Sequence, residues 1–310
     1  SNCYLDLIID NVLESCGIDI SEPEPEPILG LRLTYLNGEF PETDLVGWNA
    51  KFDLPSFGTA FTDMVVNGDE VTLIGGAGIT LKSSLFRNDS KLVKIEDDVD
   101  CVIAINGGKN AGALSLCSQL TTVTLNGVTI VNQEGLFTNA ALASLSMDAL
   151  TTANSNAFDS CTSLVTINLP ALTTAGGQVF KSLTSATTVI LPLLSSAGNS
   201  CFSNCTSVIT FSLPSLTLAD DNCFLNCTSA TTFNIVLCTT IGNNCFNNCT
   251  NATTFNLNSC TDLGGTVGDD SVFLNIIGNT VVVTIPIAMK TANGPLPDID
   301  LVNLAGMNTA

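Results

Sequence analysis

The sequence predicts a mostly β solenoid that is built from coils of about 22 residues. Phenylalanines recur at a fixed interval, 21 residues once and then 22 residues four times, at Phe137, Phe158, Phe180, Phe202, Phe224 and Phe246. The residues around each phenylalanine repeat as well, with apolar residues at the same positions of successive coils. Since one coil of this length cannot bury its own apolar side, the coils must stack on one another.

The composition limits the kinds of ligand that the chain can bind. Its 310 residues are 45% hydrophobic, which is enough for a core that needs no metal or disulfide. The formal net charge is -20, so we expect no binding to nucleic acid or to anionic membrane surfaces. Residues 1–100 carry 19 of the 29 acidic residues. The apolar stretches are too interrupted for a transmembrane helix, and the start lacks the features of a signal peptide, so we expect neither membrane insertion nor general export.

The first 27 residues are predicted to attach the chain to a partner. Residues 1–20 contain a short apolar segment that is too short to form a stable helix alone, with anchoring candidates Leu5, Ile8, Ile9, Val12 and Leu13. Residues 21–27 alternate glutamate and proline, a pattern typical of an extended and self-repelling linker. An anchoring segment, a linker and a folded body therefore follow one another.

The body divides into a solenoid and two caps. Residues 28–80 show apolar residues at every second position, and Asn67-Gly68 is a strong hairpin signal, so we predict an amino-terminal β cap with Trp48 in its core. The coils occupy residues 81–262. Residues 263–310 are predicted to form a carboxy-terminal cap with a strand at 281–285.

Most of the thirteen cysteines follow the repeat. Most occupy positions that leucine or alanine fill in other coils, which is how buried thiols behave when they serve as small hydrophobic side chains. Zinc is a weaker explanation for Cys201 and Cys205, because the chain has no histidine and the repeat dictates their spacing. We predict reduced structural thiols and neither a metal nor a cofactor.

The coil motif resembles that of the BspA-like leucine-rich repeats. Within one coil, the matching residues are Ala157-Phe158, Cys161, Leu164 and Leu169-Pro170. The resemblance covers residues 81–262 and departs from the motif at Leu183, which replaces a cysteine, and at Val236 and Asn258, which replace a proline. It implies a leucine-rich-repeat solenoid in which one short strand per coil lines the concave side.

The outward positions of these strands are the candidate binding residues. They form two polar rows, from which we select Thr166, Asn168, Thr188, Thr210, Ser212, Thr232, Asn234, Thr254 and Asn256. Hydroxyl and amide groups hydrogen-bond neutral ligands such as glycans. Threonine is also common on a solvent-exposed sheet face, where neighbouring threonines hydrogen-bond one another across strands. The sequence therefore leaves open whether these rows bind a ligand or are only a solvated surface.

Enzymatic activity is not predicted. Without histidine, a Ser-His-Asp or Cys-His site cannot form, and general base catalysis would fall to carboxylates. In the coils these are few and scattered, and the adjacent Asp220 and Asp221 give no reason to expect convergence on one substrate.

The resemblance gives the functional hypotheses. Members of that family are known mainly as surface and adhesion proteins, and such repeats also occur in bacteriophage structural proteins. Our leading hypothesis is a non-enzymatic virion protein, assembled in the host cytoplasm, in which residues 1–20 bind another virion protein and the solenoid contacts a host surface glycan or protein. A bacterial cell-surface adhesin is the alternative, and ice binding by the threonine rows ranks third. The sequence leaves a homo-oligomer open.

Overall fold

The computed structural model describes residues 30–51, 59–77, 85–97, 112–131, 135–138, 140–263, 272, 281–284, 290–291 and 307–309. Within these residues the chain is the mostly β solenoid that the sequence predicts, and each regular coil contributes one short strand to each of two parallel ladders. The two strands of a coil are joined by turns, and the apolar side chains point inward between them.

The first ladder contains the predicted strands and continues into both ends of the chain. Its strands are β1 (Gly30–Tyr35), β2 (Thr59–Asn67), β3 (Glu70–Ala77), β4 (Leu92–Asp97), β5 (Thr122–Thr124), β7 (Ser144–Ser146), β9 (Thr166–Asn168), β11 (Thr188–Ile190), β13 (Thr210–Ser212), β15 (Thr232–Asn234), β17 (Thr254–Asn256), β19 (Val281–Thr284) and β21 (Met307–Thr309). They form a mixed sheet in the order β2-β3-β1-β4-β5-β7, then the pair β9-β11, then the parallel sheet β13-β15-β17-β19-β21. Short interruptions separate these sheets, although β7 lies next to β9 and β11 lies next to β13.

The second ladder is an eight-stranded parallel sheet that we did not anticipate. Its strands are two residues long: β6 (Ile130–Val131), β8 (Thr152–Ala153), β10 (Thr174–Ala175), β12 (Ser196–Ala197), β14 (Leu218–Ala219), β16 (Thr240–Ile241), β18 (Asp262–Leu263) and β20 (Lys290–Thr291). The second residue of each strand from β6 to β18 is buried, and it is alanine in β8, β10, β12 and β14.

Turns around each repeated phenylalanine hold the third side of the coil together. Asn156, Phe158 and Ser160 donate backbone hydrogen bonds of 2.9–3.0 Å to the next coil. In five successive coils the residues two before and two after the phenylalanine have φ between 52° and 61°: Asn156, Ser160, Gln178, Ser182, Ser200, Asn204, Asn222, Asn226, Asn244 and Asn248. Asparagine tolerates this left-handed conformation better than most residues, which accounts for its frequency there.

The repeated phenylalanines form a continuous stack. From Phe137 to Phe246 every ring is fully buried, and successive ring centroids lie 5.3–5.7 Å apart with nearly parallel planes. A second column, formed by Phe211, Phe233 and Phe255 on the first ladder, meets the stack edge-on. The two columns fix the register of the coils, because each ring contacts its equivalents above and below.

The amino-terminal part contains the predicted hairpin and one element that we missed. β2 and β3 are joined at Gly68 and Asp69, and Gly68 has a φ of 60°. The turn lies one residue later than the predicted Asn67-Gly68, because Asn67 still belongs to β2 and pairs with Glu70. Trp48 is buried as expected. It lies on the helix α1 (Leu45–Lys51), which follows a 3-10 turn at Leu36–Gly38 and which the alternating pattern did not predict. The helix packs its indole ring beside Tyr35 of β1.

Candidate binding face

The candidate site is the outward surface of the first ladder from β4 to β17, which we call the strand face. Its first row is Lys94, Thr122, Ser144, Thr166, Thr188, Thr210, Thr232 and Thr254, and its second row is Glu96, Thr124, Ser146, Asn168, Ile190, Ser212, Asn234 and Asn256. The residue between them on each strand points into the core. Parallel pairing in strict register keeps equivalent residues side by side within each sheet.

All nine binding candidates lie on this face, in two groups. Thr166 and Asn168 pair with Thr188 and Ile190, and all four are exposed. The other candidates share the neighbouring sheet: Thr210, Ser212, Thr232, Asn234, Thr254 and Asn256. In that sheet Thr210 and Ser212 are exposed, and the candidates of β15 and β17 are half-buried. Among these, Asn256 Nδ2 donates a hydrogen bond to Asn234 Oδ1 at 3.2 Å, so part of their hydrogen-bonding capacity is used internally.

Charge is confined to the amino-terminal end of the strand face. Lys94 Nζ lies 2.7 Å from Glu96 Oε2 on β4, so these two charges neutralise each other. The fourteen outward positions from β5 to β17 hold no ionisable side chain. A partner can therefore cover this surface without burying an unpaired charge, which would be unfavourable.

Three exposed aliphatic residues lie on the strand face or directly beside it, and they were not among the predicted binding residues. Ile190 stands in the second row, whereas Val165 and Ile209 come directly before β9 and β13. Their exposed fractions are 45%, 49% and 57%, in that order. A signal was present in the sequence, since Ile190 replaces a polar residue between Asn168 and Ser212. A partner that covers this surface would remove these three side chains from water, which is favourable.

A further row of hydroxyl groups comes directly before the strands of the second ladder, and the protein itself satisfies these groups. Each member donates to the backbone carbonyl of its equivalent one coil earlier, at 2.9–3.4 Å: Thr151, Thr173, Ser195, Thr217, Thr239 and Thr261. These hydroxyl groups tie coils together. This row is therefore structural and does not add to the candidate site.

The carboxylates of the coils accept hydrogen bonds from backbone N–H groups. Asp221 Oδ1 accepts the backbone N–H of Asn243 at 2.7 Å, and Asp220 Oδ1 accepts that of Asp221 at 2.8 Å. Asp97, which is buried at the end of β4, accepts the backbone N–H groups of Asn126 and Gly127. Within the described part of the chain, no three potential metal-ligating side chains come together.

The ten described cysteines are all free and buried. Five of them donate from Sγ to the backbone carbonyl of a phenylalanine in a neighbouring coil, at 2.9–3.2 Å: Cys117, Cys161, Cys205, Cys227 and Cys249. Burial raises the pKa of the Cys161 thiol and of the Cys205 thiol to about 12. Since the thiolate is the reactive form, these groups are inert at neutral pH.

The repeat chemistry and the two parallel ladders agree with a comparison against known families. The BspA type leucine rich repeat region, with six copies, matches residues 80–207 and 176–286, which together make up about two thirds of the chain. The chain belongs to the BspA-type leucine-rich repeat family. Within the family motif, the buried phenylalanine and the cysteine three residues later are the groups that join consecutive coils here.

Solved structures of two bacterial leucine-rich repeat proteins are similar to this BspA-type chain. A leucine-rich repeat protein from Bacteroides ovatus has 16% sequence identity and a TM-score of 0.47, and the match covers 74% of this chain and 66% of that one. A leucine rich cell surface protein from Faecalibacterium prausnitzii also has 16% identity, with a TM-score of 0.28 and coverage of 68% and 62%. The chain thus spans slightly under two thirds of either protein. Among the curated proteins, no relative was found.

The anchoring candidates Leu5, Ile8, Ile9, Val12 and Leu13 fall outside the described residues. Their proposed role therefore still depends on the sequence pattern alone. In the described segments, no helix is both long and apolar enough to cross a lipid bilayer.

Proposed function

We propose that this chain is a non-enzymatic recognition module that binds an uncharged surface, foremost that of a protein, through its strand face. The observation that carries the proposal is the combination of fourteen outward positions without ionisable groups and exposed Val165, Ile190 and Ile209 among them or at their border. Protein interfaces commonly have an apolar centre and a polar rim. A neutral glycan, bound by hydroxyl and amide groups alone, is the second ligand class.

A charge placed at one of these apolar positions tests the proposal. Ile209→Asp should reduce binding of the labelled protein to whole bacterial cells by at least about tenfold, because a carboxylate buried without a partner costs more than 1.4 kcal/mol. Leu218→Asp is the matched control, since Leu218 is an exposed aliphatic residue on the second ladder. Equal effects of both substitutions would contradict the assignment of the face. Treating the cells beforehand with protease or with periodate distinguishes a protein ligand from a glycan.

The setting that we propose is a phage particle, with a bacterial cell surface as the alternative. It is supported by the order in which an apolar segment, the Glu-Pro linker and a folded body follow one another. It is also supported by the occurrence of similar repeats in bacteriophage structural proteins. A segment that is ordered only by its partner must gain enough contacts to offset the lost chain entropy. The linker would hold the module away from its attachment point.

Deleting residues 1–27 separates attachment from recognition. We expect the truncated protein to remain folded and to bind cells like the full chain, yet to be absent from purified particles of the encoding phage. Immunoblots of particles and circular dichroism of the purified protein measure the two properties. Normal incorporation of the truncated protein would mean that attachment runs through the solenoid.

A further inference from the structure

Asparagine followed by glycine is a pair whose chemistry the proposed function does not use. The described residues contain three such pairs, Asn37-Gly38, Asn67-Gly68 and Asn126-Gly127. Two further pairs, Asn106-Gly107 and Asn293-Gly294, lie outside the described residues. Because the reacting groups are the same in every pair, a difference in reactivity between the pairs has to come from the fold.

The reaction joins the asparagine side chain to the backbone of the next residue. The backbone nitrogen loses its proton and bonds to the side-chain carbonyl carbon, Cγ, and ammonia leaves as a cyclic imide closes. Water then opens the imide at either carbonyl, which gives aspartate or isoaspartate, and nothing is oxidised or reduced. In isoaspartate the main chain passes through the former side chain and gains a carbon atom. Glycine favours ring closure because it has no Cβ to obstruct the approach.

The fold holds both reacting groups of Asn126-Gly127. Asn126 Oδ1 accepts hydrogen bonds from Ser146 Oγ at 2.7 Å and from the backbone N–H of Asp148 at 3.3 Å. The Gly127 N–H donates to Asp97 Oδ2 at 3.2 Å. The buried Asp97 also accepts the Asn126 N–H at 2.9 Å, so the backbone is held before and after the Asn126 Cα. Ring closure at this pair requires hydrogen bonds to break first.

The pair Asn37-Gly38 is held by a turn. It belongs to the 3-10 turn Leu36–Gly38, and in such a turn an N–H donates to the carbonyl three residues earlier. A Cβ on Gly38 would lie 3.1 Å from the carbonyl oxygen of Gly68, so the backbone is closely packed there. We therefore expect this pair to react more slowly than Asn67-Gly68, although Asn37 is exposed.

The pair Asn67-Gly68, at the tip of the β2–β3 hairpin, is not held in this way. Both residues are exposed, and Asn67 pairs with Glu70 at the last position of the hairpin. Within the described part of the chain, neither the Asn67 carboxamide nor the Gly68 N–H has a hydrogen-bond partner. A Cβ on Gly68 would meet no atom within 4 Å, so the peptide between the two residues has room to rotate. Ring closure at this pair needs only local opening of the hairpin tip.

We propose that Asn67 is a modification site, at which the folded protein reacts spontaneously with water to give isoaspartate and aspartate while Asn126 stays intact. Either product places a new carboxylate beside Asp69 and Glu70, which are already negative. The Asp69 carbonyl oxygen accepts the backbone N–H of Tyr35 at 2.8 Å, and Tyr35 is buried on β1. The additional main-chain carbon of isoaspartate displaces this carbonyl group and thereby loosens the hairpin from β1.

Incubation of the full chain in neutral buffer, with and without urea, tests the site. In the folded protein Asn67 should be modified at least about tenfold faster than Asn126, whose hydrogen bonds must break first. In urea the two rates should be similar, because no fold protects either residue. Mass spectrometry of proteolytic peptides measures both sites in the same molecules, and an isoaspartyl methyltransferase distinguishes isoaspartate from aspartate. Equal rates in the folded protein, a faster reaction at Asn37, or a difference that persists in urea would overturn the proposal.

Hydrogen exchange of the Tyr35 amide tests the consequence for the hairpin. In incubated protein that carries isoaspartate in place of Asn67, this amide should exchange at least about tenfold faster than in fresh protein. Asn67→Gln incubated for the same time is the matched control, because its longer side chain closes the ring less readily while all other sites age equally. Asn67→Asp adds the charge without the main-chain carbon and should keep the slow exchange. Unchanged exchange in the isoaspartate form, or equal acceleration in Asn67→Asp, would contradict the loosening of the hairpin.

Discussion

Replacing Phe202 by alanine should lower the free energy of unfolding by about 3 to 5 kcal/mol. The ring is fully buried in the middle of the stack, with centroids 5.3 Å from Phe180 and 5.5 Å from Phe224. It also meets Phe211 of the second column edge-on at 5.5 Å. The substitution leaves a cavity that the neighbours cannot fill without breaking the register on which their own stacking depends.

Urea unfolding followed by circular dichroism measures this loss. Phe202→Leu keeps most of the buried volume and should lose clearly less stability than Phe202→Ala. Val165→Ala, at an exposed position, should change stability by less than about 0.5 kcal/mol. A loss under about 1 kcal/mol for Phe202→Ala would mean that the coils collapse around the gap and that the stack does not hold them in register.

The sequence predicted those parts of the fold whose cause is repeated in every coil. A phenylalanine that recurs every 22 residues stacks on its equivalents in the neighbouring coils. The same interval places Thr166 and Asn168 in register with the equivalent residues of the next coil, so the two outward rows were predictable as well. The hairpin at Gly68 was predictable for a local reason, because a turn residue with positive φ leaves a clear signal.

Features without such a signal were missed. The strands of the second ladder, such as Thr174–Ala175, are two residues long, so no alternation of polar and apolar residues can reveal them. The Asn49 side chain hydrogen-bonds to the backbone of Phe61, twelve residues later, and it is positioned by a helix that the alternating pattern did not predict. Ile190 was left out for a different reason: its place in the second row already predicted an outward side chain, but only polar members of the rows were selected as binding candidates.

Mild alkali should unfold this protein. Burial raises the pKa of nine described thiols: Cys117, Cys161, Cys201, Cys205, Cys223, Cys227, Cys238, Cys249 and Cys260. For Cys161 the pKa in the folded state is about 12, against about 8.5 for a free thiol. Above the lower value the unfolded chain has lost the proton that the folded chain retains, so stability falls as pH rises and is fully present below it.

The size of the effect follows from the number of thiols. Each thiol lowers the stability by at most about 1.4 kcal/mol per pH unit within the window between its two pKa values, so nine thiols together lower it by at most about 12 kcal/mol per pH unit. This is comparable to the whole stability of a typical domain. We therefore expect cooperative unfolding between about pH 9 and 11, measured by circular dichroism with reductant present.

A double substitution assigns the alkaline unfolding to the thiols. Val179 occupies in its coil the position that Cys201 and Cys223 occupy in the following two, and all three side chains are fully buried. Cys201→Val with Cys223→Val should therefore fold, and its stability should fall by about 3 kcal/mol per pH unit less than that of the wild type above pH 9. An identical alkaline profile for both proteins would show that other groups cause the unfolding. If the stability of the double variant falls less steeply with pH, as we expect, then the thiols that pack between the coils at neutral pH are also the groups that limit the stability of the solenoid in alkali.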